Sequence, residues 1–214
     1  MAEPVAALRA DGHTDWRTYE PLELPPILAA ALAAFGEQGY HGTSVRVIAR
    51  RVGVTVPTLY YHHRNKQALL AELLTGSLRA ALGRCRSAVE GAGPEPVARF
   101  SALVECLVLY AAHRAPLAAL DAEARSLEPE NLARYAAERD ELKAMLHRAV
   151  QDGADLGDFT TAYPVDAGRA VLTMCVSVAD WYRPEGPLTP EALARRYVGI
   201  ALASVGHRTR RRAR

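Results

Sequence analysis

Cysteine is scarce in this chain, three among 214 residues. Cys85, Cys106 and Cys175 form no CxxC pair and none stands near a histidine at ligand spacing, which argues against a disulfide framework or a metal site. Three reduced, buried thiols are expected instead. Aromatic residues make up only 7% of the chain, and with the β-branched residues they form no alternating runs of the kind a sheet requires. No stretch of roughly 18 apolar residues runs free of a charge or a breaker, so no membrane span is expected. The N-terminus lacks a basic region followed by an apolar block, so nothing directs export and a cytoplasmic location is expected. GxGxxG, P-loop, HExxH and GxSxG are all missing, and the carboxylates fall on solvated helical faces. An enzyme or a bound cofactor is therefore not expected.

One local shortage is more telling. Between Gln38 and Ala71 there is no Asp or Glu, while Arg46, Arg50, Arg51, Arg64 and Lys66 supply five positive charges. Arg208, Arg210, Arg211, Arg212 and Arg214 add five more at the end of the chain. The formal net charge is only +2, so the rest of the chain is acidic, with a balance of about −8. A basic module on an acidic body is the pattern expected when only that module meets a polyanion.

What the chain does have is helix-forming residues: half of it is hydrophobic, and Ala and Leu dominate. An all-α fold of about nine helices is expected. Residues 1–22, rich in Pro, Gly and charge, read as a flexible arm. Leu24-Pro25-Pro26 opens a first helix with Leu28, Ala31, Leu32 and Phe35 on one face. Thr43 is expected to cap a short second helix carrying Val45, Ile48, Ala49 and Val52 at helical spacing, closed by Gly53. Thr55 caps a third from Val56 to about Tyr61, with Pro57 in its first turn. Asn65 caps a long fourth helix that ends at Glu90-Gly-Ala-Gly-Pro. Phe100, Leu103, Val104, Leu107, Val108 and Ala111 mark a fifth, Pro116 interrupts the segment after it, and a seventh runs from Pro129 to near Gly153 with one wet face. The eighth, from about Val165 to Tyr182, is apolar nearly all round and so needs cover on several sides. Thr189, Pro190 and Glu191 start the ninth. The expected units are the arm, an N-terminal unit over 23–70, a larger helical unit over 71–206, and a basic tail over 207–214.

Two short amphipathic helices around a Gly turn, the second polar at its leading end, have the geometry of a helix-turn-helix. Thr55, Val56, Pro57 and Thr58 would present short side chains to base edges, and Tyr60, Tyr61, His62 and Lys66 would flank them at the phosphates. Thr43, Ser44 and Arg46 would meet a further phosphate at the start of the supporting helix. The run Phe35, Gly39-Tyr40, Thr43-Ser44, Ile48-Ala49, Gly53-Val54, Leu59-Tyr60-Tyr61-His62, Lys66 and Leu69-Leu70 resembles the DNA-binding domain of the TetR family over about 45 residues. His63 departs from the pattern, standing where the family usually has Phe. The resemblance implies a transcriptional regulator, a homodimer built on the last two helices, and double-stranded operator DNA as partner.

The stretch TMCVSVADWYRPEGPLTPEALARRY, with Arg-Ser-Leu upstream, is similar to TetR-like regulators that respond to acyl-CoA thioesters. That implies a small-molecule effector with an apolar part and an anionic head. Leu103, Leu107, Tyr110, Met145, Met174 and Trp181 are the candidate pocket residues, with Arg125 for a phosphate or carboxylate. His113 and His147 are read as surface or core residues, not metal ligands. Two other readings stand: a regulator of drug-efflux or catabolic genes that binds an apolar ligand, and, more distantly, an architectural DNA-binding protein, which would not need so apolar a body.

Overall fold

The computed structural model describes residues 15–207. Among them are ten α-helices, one 3-10 segment and no strand. The all-α expectation holds, and the tally passes nine because the apolar eighth helix breaks at Ser177, whose hydroxyl donates to the Met174 carbonyl at 2.9 Å. The Arg-rich tail from Arg208 lies outside the described residues.

Helix α1 (Pro26–Gly42) buries Leu28, Ala31, Leu32 and Phe35, as their spacing predicts. It is interrupted at Gly39, whose φ of 70° and ψ of 165° suit glycine alone. That kink changes the start of α2 (Val45–Val52). Ser44, not Thr43, is its N-cap, accepting from the Val47 N–H at 3.4 Å. Thr43 turns inward instead, 2% exposed, and its hydroxyl reaches the carbonyls of Ala34 and Gly39 at 3.0 and 2.8 Å. The kink leaves the Gly39 carbonyl without its helical N–H, because the Thr43 N–H bonds to Tyr40, and the hydroxyl replaces it. Gly53 in the left-handed region closes α2, and Thr55 caps α3 (Val56–His62) through the Thr58 N–H at 3.3 Å. Asn65 caps α4 (Lys66–Gly91) through the Ala68 N–H at 2.8 Å.

The body is built on α5 (Pro96–His113), which packs against α4, α7 (Pro129–Asp155), α8 (Pro164–Val176) and α10 (Pro190–Ser204). Its length and composition alone would let it cross a membrane, but two-thirds of it is buried inside the protein. Between α5 and α7 the chain makes the short α6 (Ala115–Ala119) and a 3-10 segment, Leu120–Ser126. After α8 come α9 (Val178–Trp181) and α10, the latter capped by Thr189 through the Ala192 N–H at 3.2 Å. At the end of α7, Phe159 folds back over Gly153, where a Cβ would lie 2.2 Å from the ring.

Residues 15–22 are not a free arm; they form a strap across α4 and α5. Trp16 is buried, and Arg17 makes a two-point bond to Glu105 at 2.7 and 2.9 Å. Tyr19 stacks on His113 at 4.3 Å and lies under the Arg84 guanidinium at 4.0 Å. Arg84, itself buried on α4, donates to the carbonyls of Trp16 and Thr18, both at 2.9 Å. Two aromatic side chains and a satisfied arginine outweigh the polar composition that suggested mobility. Residues 1–14 of the expected arm lie outside the described residues.

Candidate nucleic-acid interface and ligand cavity

Helices α2 and α3 meet through Ile48, Ala49 and Leu59, all buried, and this packing turns their polar faces outward. Thr55, Pro57 and Thr58 are exposed at the leading end of α3, with the two threonine hydroxyls 2.8 Å apart; Val56 is half-buried. Tyr60 and Tyr61 are 44% and 87% exposed, large apolar surfaces that a monomer in water has no reason to present. His62 stands edge-on to Tyr61 at 5.3 Å. Ser44 and Arg46 are exposed at the start of α2, and Arg50, four residues on from Arg46, shares its face, a residue that its charge and spacing could have added to the expected set.

Two expected contacts are otherwise engaged. The Thr43 hydroxyl is spent inside the kink. The Lys66 ammonium donates to the carbonyls of Tyr40 and Thr43 at 2.6 and 2.8 Å and lies 4.0 Å above the Tyr40 ring. It caps the carbonyl end of α1, a structural task, and its burial there lowers its pKa. Arg51 is also engaged, donating to Glu37 at 2.8 Å, a pair that lowers the Glu37 pKa and raises that of Arg51. His63 ends α3 with its Nδ1 3.2 Å from a Glu72 carboxylate oxygen on α4, so an imidazole–carboxylate contact occupies the position where Phe was expected.

In the body, α4, α5, α6, α7 and α8 diverge around a cavity of about 690 Å³. Leu74, Leu78, Leu107, Leu142, Leu172 and Val176 give it apolar walls. Ser77 and Tyr110 face it with hydroxyls bonded to one another at 2.9 Å. Arg139, Lys143 and Arg169 stand in its lining together with Asp121, Asp140 and Asp180. A volume of this size, mostly apolar with a few polar groups, suits a small-molecule ligand. Of the expected pocket residues, Leu107 and Tyr110 line it. Leu103 and Met145 are core residues, and Met174 is half-buried against that core. Trp181 is 48% exposed on the outer surface, stacked on Tyr197. Arg125 is exposed on the 3-10 segment and does not line the cavity. Nothing in the sequence marks Arg139, Lys143 and Arg169 as cavity residues, because charges on helices α7 and α8 look like any solvated face. No group of three or more metal-ligating side chains occurs among the described residues.

Residues 27–73 match the family model for bacterial regulatory proteins of the tetR family, and residues 93–205 match that for the tetracyclin repressor-like C-terminal domain. The HTH-type transcriptional repressor KstR2 of Mycobacterium tuberculosis is 30% identical over 201 residues, covering 92% of this chain and 96% of that one. A bacterial regulatory protein of the tetR family from Rhodococcus RHA1 is 28% identical with a TM-score of 0.79, covering 86% of this chain and 97% of its own. AibR, solved in complex with isovaleryl coenzyme A and operator DNA, shares the fold at 24% identity, with a TM-score of 0.70 and 81% and 95% of the two chains covered.

Proposed function

The chain belongs to the TetR family of bacterial regulatory proteins, and from that premise we propose that it is a cytoplasmic, homodimeric repressor released from its operator by an acyl-CoA thioester. It is a DNA-binding transcriptional regulator with a ligand-binding helical domain, as its relatives are. The finer reading concerns which residues do this and for which ligand.

The observation that carries the effector class is the composition of the cavity: apolar walls from α4, α5 and α8, and three cations on α7 and α8 that share the lining with three aspartates. The walls suit an acyl group and the cations suit phosphates. Two of those cations are held only by exposed pairs, Lys143 with Asp140 at 2.7 Å and Arg169 with Asp166 at 3.3 Å. Such pairs contribute about 0–1 kcal/mol, so a phosphate can displace the carboxylate at little cost. AibR, which shares the fold, holds isovaleryl coenzyme A. On the DNA side, Thr55, Val56, Pro57 and Thr58 read base edges, and Ser44, Arg46, Tyr60, Tyr61 and His62 contact the backbone. The dimer forms through α8, α9 and α10, where Ile200 of α10 is 52% exposed and Trp181 of α9 and Tyr197 of α10 make an apolar patch beside it. Two readers then span half-sites about 34–36 Å apart or a multiple of that.

The test is native mass spectrometry of the purified protein with a panel of acyl-CoA thioesters, paired with an operator shift assay on the DNA upstream of its own gene. Uptake of a thioester that releases DNA is the expected result. Dimers that bind DNA, ignore every thioester and respond to a neutral apolar compound would replace this effector class with the drug or catabolic one.

A further inference from the structure

We infer that Glu123 is a positioning residue for the DNA-reading domain, and that the 3-10 segment carrying it makes the reader's shape depend on the wall of the ligand cavity. At one end of this seven-residue segment, Asp121 lines the cavity. It accepts from the Tyr135 hydroxyl and lies 3.3 Å from Arg139, both of which line the cavity from α7. Two residues on, Glu123 leaves the body and accepts the backbone N–H of Tyr40 at 3.1 Å.

That N–H needs an outside partner for a local reason. The kink at Gly39 ends the regular part of α1, so Tyr40 starts a new turn with no carbonyl behind it. Glu123 supplies the acceptor that an N-cap residue would otherwise give. The site is tight, because a Cβ on Gly39 would lie 3.3 Å from the same carboxylate oxygen. The turn it caps, Tyr40–Gly42, leads straight into Thr43 and Ser44 at the start of α2. At its far end the segment is tied again: Ser126 meets His41 at 3.1 Å, and Gln67 of α4 bonds both the Tyr40 hydroxyl and the Ser126 carbonyl. One short element thus joins the cavity wall to the turn that sets the angle between α1 and α2. A ligand that draws Tyr135 or Arg139 off Asp121 frees the segment and, with it, the cap on Tyr40. Only the nature of the occupant rests on the effector reading; the mechanical link stands on the ligand-free chain.

The experiment accordingly uses ligand-free full-length protein and measures amide exchange at Tyr40 by NMR, with operator affinity alongside. Glu123→Ala is expected to speed Tyr40 exchange about ten- to a hundredfold and to weaken operator binding, whereas Glu123→Gln, which keeps an acceptor oxygen, holds both near the parent values. The decisive variant is Tyr135→Phe in the cavity: faster exchange at Tyr40, with α4 amides such as Leu73 unchanged, supports the link as coupling evidence, which spatial proximity alone would not be. Unchanged Tyr40 exchange in Tyr135→Phe overturns it, as does a Glu123→Gln variant that behaves like Glu123→Ala. Neither result bears on whether thioesters bind, so failure here and failure of the effector reading are told apart.

Discussion

Replacing Lys66 with Met keeps the aliphatic stem and removes the ammonium, which separates a structural role from a DNA contact. Each hydrogen bond to a charged group contributes about 1.5–3 kcal/mol, and Lys66 makes two, to the carbonyls of Tyr40 and Thr43. The ring of Tyr40 beneath the ammonium adds about 0.5–1 kcal/mol. Against this stands the cost of desolvating the cation, visible in its lowered pKa. A net loss of about 2–3 kcal/mol is expected, or a fall in Tm of about 4–12 °C for a chain of this size. Operator affinity should drop because the joint between α1 and α2 loosens, yet its salt dependence should not change. Each phosphate neutralised contributes about 0.9 to the slope of log K against log[salt], and an ammonium already bonded to two carbonyls is not neutralising one. Arg46→Gln is the matched control, expected to leave Tm nearly unchanged and to lower the slope by about 0.9 per contact. A Lys66→Met protein with the parent Tm and a reduced salt slope would refute this reasoning and return Lys66 to the phosphates.

Three further outcomes rest on the packing. Burial holds the His113 imidazole below its ordinary value of 6.5, so the unfolded chain takes up a proton before the folded one; the stability that neutral His113 contributes is intact above 6.5 and is lost as pH falls from there to the lowered value. His113→Phe should keep the stack on Tyr19 and flatten Tm against pH on the acid side, with Trp16 fluorescence in a Trp181→Phe background reporting the strap; an unaltered acid slope would count against it. Gly153→Ala places a Cβ inside the Phe159 ring and should cost about 1–3 kcal/mol in thermal unfolding, part of which Phe159→Leu restores in the same chain; a Tm equal to the parent's would contradict that contact. Ile200→Glu should yield monomers in sedimentation and abolish tight operator binding while leaving helix content by circular dichroism intact; a persistent dimer would move the interface off α10.

Much of the reader was legible because its determinants are local. The caps Thr55 and Asn65, the Gly53 turn and the buried faces of α1 and α2 each rest on residues within a few positions of one another. Thr43 and Lys66 are engaged inside the protein for one common reason, the Gly39 kink, whose displaced carbonyls recruit a hydroxyl four residues away and an ammonium from another helix. Spacing cannot reveal that. The strap did leave a trace, Trp16 and Tyr19 three residues apart beside Arg17, which composition outweighed. In the body, the leucines that line the cavity and those that fill the core have the same spacing. What separates Leu107 from Leu103 is the divergence of neighbouring helices, a property no single segment encodes. The eighth helix shows the other side of this: Val171 and Cys175 are buried inside and Leu172 and Val176 line the cavity, while Val165 and Trp181 stay exposed.

The division of labour among the five cations of the acid-free window also sets how strongly the protein should feel salt. Arg51 is held by Glu37 and Lys66 by two carbonyls, which leaves Arg46, Arg50 and Arg64 exposed, with no ion-pair partner among the described residues. A dimer that places all three on phosphates from each protomer reaches a slope of about −5; engaging all five would give about −9. The difference is a factor of about 100–200 in affinity between roughly 50 and 200 mM salt. It is therefore measurable on the parent protein by titrating salt in an operator-binding assay, without any substitution. The Arg-rich tail can be separated by removing residues 208–214, since its share of the slope disappears with it. A slope near −9 in the truncated protein would mean that operator binding breaks the Arg51 and Lys66 contacts, and that the reader changes shape on DNA. A slope near −5 would mean that it binds in the conformation described.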